Sequence, residues 1–243
     1  LPGVATALWV GTLNNDAQLE EYEEDGSKRY RMVGDPTEGS ILVAALKAGA
    51  RAPELTNAYP RAGEIPFDSE RKRMVTVHEI KSPAESDISP FSSRNGDESY
   101  VIAVKGAPDV VLKLCSRVQK MDNTCQNLDD SQRQAILAAN DDLTKQALRV
   151  LGMAYRVVSA KPEQVDSDSL EQALVFAGWV GMIDPAREEV KPALLKAVKA
   201  GIRTVMITGD YPNTARAIAE SIGLLRPNGK VRTGADVDQM DDE

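Results

Sequence analysis

Apolar residues recur at helical or alternating spacing through most of the first 180 positions of this 243-residue sequence. Helical spacing and capping signals predict four helices, at 4–13, 35–49, 108–118 and 131–148. Alternating apolar positions predict four strands, at 74–80, 100–104, 150–157 and 174–183. Two further segments carry neither pattern. The charged residues 20–26 are interpreted as an exposed turn or loop, and the Ser- and Pro-rich residues 82–99 as a long loop that joins two antiparallel strands.

The last quarter of the chain has a different pattern. Helical spacing at 187–200 and at 212–222 flanks an apolar run, 202–207, which predicts a strand of a buried parallel sheet. Helices that alternate with such strands are typical of α/β domains. The predicted fold is therefore an α+β domain, an antiparallel sheet flanked by helices, at 1–180, followed by a partial α/β segment at 181–243.

Composition narrows the function classes. The net charge of −8 argues against nucleic acid as a partner, because nucleic acid requires a basic face. Cys115 and Cys125 are too few for a disulfide framework, and His78 is the only histidine, so a His-rich zinc site is excluded. No apolar run approaches the roughly 20 residues of a membrane helix. The opening Leu-Pro-Gly does not resemble a natural start, so the chain is expected to be a soluble piece of a longer protein.

One helix start can be predicted from its capping chemistry. Asp35 can accept a hydrogen bond from an unpaired amide, and Pro36 at the first helical position loses no bond. Glu38 can reach back to the cap amide, which would complete a capping box. The apolar positions that follow predict one buried face of this helix.

Five short motifs carry more specific information. They lie at 34–39, 66–74, 104–109, 182–187 and 208–210, and include Asp-Pro-Thr-Glu, Phe-Asp-Ser-Glu-Arg-Lys-Arg, Lys-Gly-Ala-Pro-Asp, Asp-Pro-Ala-Arg and Thr-Gly-Asp. The ordered set resembles the cytoplasmic ATP-binding region of P-type ATPases, ion pumps that phosphorylate themselves on an aspartate. It looks most like the type II group of calcium, sodium and proton–potassium pumps.

The resemblance implies which residues bind the nucleotide. In the family, a phenylalanine at the place of Phe67 stacks on adenine, and the lysine matching Lys105 lines the same pocket. The glutamate matching Glu38 lies near the adenine amino group. Gly106 is expected to allow close backbone approach of the ligand. Arg71 is expected to reach the phosphates in place of an arginine that some pumps carry two positions earlier.

Three of these residues also have a simpler interpretation. Phe67 could be a core residue, and Lys105 could lie in solvent at the end of a strand. Glu38 could serve only the helix cap. In the family an arginine at the place of Arg149 reaches the phosphates, but a helix C-terminus equally favours a positive charge.

The resemblance assigns the segment 181–243 to part of the phosphorylation domain, which is haloacid-dehalogenase-like. The family's threonine at the place of Thr208 bonds the transferred phosphoryl group, and Gly209 and Asp210 share this loop between a strand and a helix, where α/β proteins bind anions. Two departures are visible: Tyr211 replaces the asparagine that usually follows, and Ala186 replaces the second proline of the family's hinge.

Two motifs that turnover requires do not occur in the sequence: the acceptor Asp-Lys-Thr-Gly-Thr and the later Gly-Asp-Gly-Val-Asn-Asp. The resemblance therefore implies a chain that binds ATP without turnover and carries no catalytic or metal-binding residue of its own. Mg²⁺ is expected in the full-length parent, an ATP-driven cation pump. The expected partners are the pump's phosphorylation, actuator and membrane domains, at the cytoplasmic face of a membrane. The alternatives are a soluble haloacid-dehalogenase-like phosphatase and a nucleotide-independent interaction module.

Overall fold

The structure is a computed structural model that describes residues 1–91, 100–146, 148–183, 186–208, 212–226 and 229–240. It contains two compact units. The first consists of Leu1–Ala138 and Val150–Val180, and the second of Ala139–Arg149 and Gly181–Glu243. In the described part of the chain, no helix combines the length and the apolar character that crossing a bilayer requires.

The first unit contains both helices and strands. Its helices are α1 (Pro2–Leu13), α2 (Pro36–Lys47), α3 (Ala52–Ala58), α4 (Pro108–Lys113), α5 (Asp130–Lys145, which ends in the second unit) and α6 (Ser167–Leu170). The strands are β1 (Gln18–Glu24), β2 (Ser27–Val33), β3 (Arg61–Asp68), β4 (Arg73–Glu79), β5 (Tyr100–Gly106), β6 (Cys115–Gln119), β7 (Cys125–Asn127), β8 (Arg149–Val158) and β9 (Leu174–Met182).

A seven-stranded, largely antiparallel sheet organises the fold, with the strand order β3-β4-β5-β8-β9-β6-β7. Antiparallel pairing joins β3 to β4, β4 to β5, and β5 to β8, whereas β6 and β9 run parallel. The predicted antiparallel α+β domain is therefore confirmed. Strands β1 and β2 form a separate hairpin.

The two faces of the sheet pack against different helices. Alternate side chains of β4 and β5, such as Val75 and Val104, join a buried cluster with Val111 and Leu112 of α4. Helix α1 lies along β5, on the face that carries Met74 and Lys105. Every residue of α1 from Ala5 onward is buried, which explains why its apolar residues do not follow a single stripe.

The sequence predicted most of the long elements correctly. Helices α1, α2 and α5 and strands β4, β5, β8 and β9 all lie where the spacing placed them. Residues 82–91 contain no helix or strand, as predicted, and the rest of the predicted loop, 92–99, lies outside the described residues. Phe91 is nevertheless buried between the rings of Tyr59 and Tyr155.

The turn or loop predicted at 20–26 was too long, since only its last two residues form a turn. Strands β1 and β2 pair along their whole length, and only Asp25 and Gly26 turn the chain, both at positive φ (51° and 72°). A two-residue Asp-Gly connection is a strong hairpin signal, because both residues tolerate this conformation. Both strands carry exposed and mostly charged side chains, so they lack the alternating apolar positions from which a strand is predicted.

The predicted helix at 108–118 was too long. Helix α4 ends at Lys113, and strand β6 begins at Cys115. Cys115 and Val118 pair with Leu174 and Phe176 of β9, more than 50 residues away. This non-local pairing overrides the local helical spacing.

The second unit contains helices α7 (Val190–Lys199), α8 (Pro212–Ser221) and α9 (Gly234–Val237). The first two confirm the predicted helices. The strand predicted at 202–207 was wrong, since these residues adopt no regular structure and Ile207 is 93% exposed. Among the described residues no strand pairs with this run, and a strand without a hydrogen-bonding neighbour has nothing to stabilise it.

Candidate functional site

Lys105 is buried in the first unit, contrary to its interpretation as a solvent-exposed strand end. Its side chain leaves the face of β5 that is turned toward α1, and only 6% of the residue is exposed. The Nζ atom donates hydrogen bonds to the backbone oxygen of Asn14 at 2.5 Å and to Oε1 of Glu38 at 2.6 Å. Burial lowers the pKa of Lys105 below its usual range, and the Glu38 carboxylate opposes that shift.

Glu38 joins three parts of the first unit. Asp35 caps α2 as predicted, with its Oδ1 accepting from the amides of Thr37 (2.7 Å) and Glu38 (3.3 Å). The Glu38 carboxylate turns to the chain segment after α1, where its Oε2 accepts from the amides of Asp16 (3.0 Å) and Ala17 (3.2 Å). The expected bond back to the cap is thus replaced by bonds to this segment and to Lys105.

Asn14 fixes the end of α1 to the sheet. Its Nδ2 donates to the backbone oxygens of Met74 (3.0 Å) and Ala103 (2.7 Å), and its side chain is fully buried. Because the backbone oxygen of the same residue accepts from Lys105, Asn14 sets the position of that lysine. No sequence signal indicated this role.

Phe67 lies at the end of β3, with 64% of the residue exposed. The β3–β4 register shifts between Ile65 and Asp68, so that Pro66 and Phe67 of the edge strand β3 lie beside Met74 of β4. Met74 pairs with Lys105, and Lys105 with Met153. Phe67 therefore stands at the open end of a cross-strand row, Met74–Lys105–Met153.

The turn between β3 and β4, residues 68–73, follows directly after Phe67. Oδ1 of Asp68 accepts from the amides of Glu70 (3.0 Å) and Arg71 (2.7 Å), and the backbone oxygen of Asp68 accepts from the amide of Lys72 (2.6 Å). Lys72 has a φ of 54°, which is uncommon for a lysine. These bonds give the 68–73 turn a defined shape.

Gly106 lies against this turn. A Cβ at this position would come within 2.5 Å of the Lys72 backbone oxygen and 2.8 Å of Arg73 Cα. The amide of Ala107 also donates to that Lys72 oxygen at 2.9 Å. The close approach that we predicted for a ligand is made here by the chain's own backbone.

Arg71 does not extend freely toward a ligand. Its Nη2 contacts Oε1 of the buried Glu171, and Arg73 donates to the other carboxylate oxygen, with its Nε at 2.9 Å. Lys72, between them, is exposed and takes part in no ion pair within the described residues. Lys72 belongs to the same basic motif, but only Arg71 was predicted to reach the phosphates.

The remaining predicted residues belong to the second unit or lie outside the description. Arg149 is exposed at the start of β8 and belongs to the second unit. Thr208 is exposed in an irregular segment, and Gly209 and Asp210 lie outside the described residues. Asp184 of the predicted hinge is also outside them. The structure thus brings together Glu38 with Lys105, and separately Gly106 with the 68–73 turn.

A cavity of about 660 Å³ lies elsewhere in the first unit. The hairpin, α2, α3 and the sheet line it, including the Asp16–Arg61 ion pair (2.8 Å) and His78. It shares only the segment after α1 with the site above, and includes none of the predicted nucleotide-binding residues. No cluster of three or more potential metal ligands occurs in the described ranges of the chain.

Known proteins resemble this chain over most of its length. The family model for the "P-type ATPase, cytoplasmic domain N" matches residues 4–189. The Calcium-transporting ATPase 1 of Bacillus cereus is 37% identical over 236 residues, which are 95% of this chain and 24% of that protein. The Calcium-transporting ATPase of Bacillus subtilis is 36% identical, over 97% of this chain and 24% of the relative.

A third relative, the Probable cation-transporting ATPase F of Mycobacterium tuberculosis, is 36% identical over 95% of this chain and 23% of its own length. The chain spans about a quarter of the length of these relatives. The family match covers most of the chain and includes the whole sheet with its Lys105–Glu38 pair. The chain therefore belongs to the P-type ATPase family, whose cytoplasmic domain N matches residues 4–189.

Proposed function

We propose that this chain binds ATP at the Phe67 end of the Met74–Lys105–Met153 row. The single observation that carries the proposal is an exposed aromatic ring at the open end of a row that contains a buried, ion-paired lysine. An exposed ring offers a flat apolar surface on which adenine can stack. Met74 and Met153 are buried beside Lys105, so the exposed ring of Phe67 is the apolar surface that this row presents, and the Lys105–Glu38 pair would supply polar groups for the edge of the base.

The phosphates would then extend over the 68–73 turn. Lys72 is the exposed cation there, whereas the guanidinium groups of Arg71 and Arg73 are held by Glu171. We therefore assign the first phosphate contact to Lys72 and give Arg71 a supporting role. Arg149, Thr208, Gly209 and Asp210 remain proposed nucleotide-binding residues on the family resemblance alone.

In the parent protein, the chain would present the γ-phosphate to an acceptor aspartate outside this sequence. Residues 1–180 would form the nucleotide-binding domain and 181–243 part of the phosphorylation domain. Remote binding of adenine would position the phosphoryl group for transfer, and domain closure in the parent protein would bring that group to the acceptor aspartate. The relatives' names, calcium- and cation-transporting ATPases, support a cation pump as the parent. Mg²⁺ would accompany ATP in that complete protein.

The test is an ATP titration by calorimetry on this chain and on its Phe67→Ala variant. We expect a Kd on the order of 0.1–1 mM for the wild type, equivalent to about −4 to −5.5 kcal/mol. Loss of one base–aromatic stack costs about 1–3 kcal/mol, so Phe67→Ala should weaken binding at least five-fold. When the chain is saturated with ATP, the largest changes in amide NMR chemical shift should occur in β4, β5 and the 68–73 turn.

Tyr22→Ala is a matched control, since Tyr22 is also an exposed aromatic residue but lies on the hairpin strand β1. This variant should bind ATP like the wild type. A folded wild-type chain that shows no saturation at several millimolar ATP would contradict the proposal, and would favour the interaction module instead.

A further inference from the structure

A buried carboxylate holds the 68–73 turn from a distant part of the chain. Glu171 follows α6, and its amide donates to the Ser167 backbone oxygen at 3.0 Å, which anchors it to that helix. Its side chain is 4% exposed. One carboxylate oxygen, Oε1, forms an ion pair with Arg71, and the other, Oε2, forms an ion pair with Arg73. These residues are 100 and 98 positions apart from Glu171 in sequence.

The two arginines flank a residue in a strained conformation. Lys72, at a φ of 54°, adopts a backbone conformation that is unfavourable for residues other than glycine. Such conformations persist where the surroundings constrain them. Here the neighbours on both sides are bound to one carboxylate, and the Lys72 backbone oxygen accepts from Ala107. Glu171 is thus one of the groups that hold Lys72 in place.

The same contacts determine which cation the turn presents. Arg71, Lys72 and Arg73 are consecutive, and any of them could attract phosphate by charge alone. The Glu171 carboxylate occupies both guanidinium groups and leaves the ammonium group of Lys72 exposed. A buried carboxylate bound in this way seldom exchanges partners, because breaking such a pair leaves an uncompensated charge.

From this geometry we propose that Glu171 is a positioning residue for recognition of the nucleotide polyphosphate. It fixes the 68–73 turn so that Lys72 meets the phosphates, and it does so without contacting the ligand. The inference rests on the proposed function. Glu171 is predicted to affect binding of the polyphosphate and not of the adenosine part.

The experiment compares ATP and adenosine affinities, measured by calorimetry, for the wild type, Glu171→Gln and Asp168→Asn. Asp168 is an exposed carboxylate three positions away, and serves as the matched charge control. We expect Glu171→Gln to weaken ATP binding about five-fold or more and adenosine binding less than two-fold. Asp168→Asn should change neither affinity.

A double-mutant cycle with Lys72→Met separates positioning from a general structural effect. If Glu171 acts through Lys72, the double variant that combines Glu171→Gln with Lys72→Met should bind ATP as weakly as Lys72→Met alone, to within about two-fold. Additive losses, equal losses for ATP and adenosine, or an unchanged or tighter ATP affinity in Glu171→Gln would each overturn the inference.

Two further results keep the test decisive. If Glu171→Gln does not fold, Glu171→Asp retains the buried charge but is too short to reach both arginines, and it should show the same ATP-selective loss. An unchanged ATP affinity in that variant would overturn the inference. A wild-type chain that binds no ATP would refute the proposed function together with the inference, whereas normal wild-type binding with an unaffected Glu171→Gln variant refutes the inference alone.

Discussion

Lowering the pH should destabilise the first unit through His78, the only histidine in the sequence. The imidazole is buried on β4, and its Nδ1 lies 2.8 Å from the backbone oxygen of Tyr59, to which the neutral ring can donate. Burial lowers the pKa of His78 from 6.5 to about 4, and the positive charge of Arg61 acts in the same direction. Protonation is thus disfavoured in the folded state.

The sign and size of the effect follow from this pKa difference. Because the folded-state pKa is depressed, the stability contribution is complete above pH 6.5 and is lost as the pH falls from 6.5 toward 4. At pH 5 the unfolded chain binds the proton readily and the folded chain does not. The expected loss is about 2 kcal/mol at pH 5, and it approaches about 3 kcal/mol near pH 4.

Urea unfolding followed by tryptophan fluorescence measures this effect selectively. Both tryptophans, Trp9 and Trp179, belong to the first unit, so the signal reports on the unit that contains His78. The free energy of unfolding should be compared at pH 7.5 and 5.0 for the wild type and for His78→Asn. The asparagine amide retains a donor for the Tyr59 oxygen but does not titrate.

Carboxylates titrate in both the wild type and His78→Asn. The difference between their changes in unfolding free energy with pH therefore reports the contribution of His78 alone. We expect the wild type to lose about 2 kcal/mol more than His78→Asn between these pH values. Identical profiles, or an imidazole pKa at or above 6 in an NMR titration of the folded chain, would refute the reasoning.

Three further predictions concern the site. Gly106→Ala should lower the free energy of unfolding by about 2 kcal/mol or more, because the added Cβ meets the Lys72 backbone. Gly26→Ala is the control: no atom lies within 4 Å of its added Cβ, so the positive φ alone should lower the free energy of unfolding, by only about 1 kcal/mol. Similar losses in urea unfolding would contradict this. Lys105→Met should cost about 3 kcal/mol, since it leaves the Glu38 carboxylate without its cation, and adding Glu38→Gln should restore part of the loss. An additive double variant would show that the pair is not coupled. Lys105→Met should also weaken ATP binding in the calorimetric titration, and unchanged affinity would remove Lys105 from the site.

Local sequence signals account for part of the geometry of the candidate site and not for the rest. The sequence motifs selected Glu38, Lys105 and Phe67, and the capping chemistry placed α2 correctly. They did not predict that Glu38 would reach Lys105, because that contact depends on the packing of α2 against the segment after α1. Arg71 and Lys72 were equally plausible phosphate contacts by charge. Only the position of Glu171 distinguishes them.

The sequence by itself determined the elements whose signals are local. Capping at Asp35-Pro36 and the alternation of β4, β5 and β8 need only nearby residues, and the ordered motifs indicated the family. Tertiary structure decided what depends on distant partners: the strand at 115–119, the irregular 202–207 run, and the burial of Lys105. The physical reason is that hydrogen-bonding partners, ion pairs and exclusion of water come from residues far apart in sequence, which local spacing does not encode.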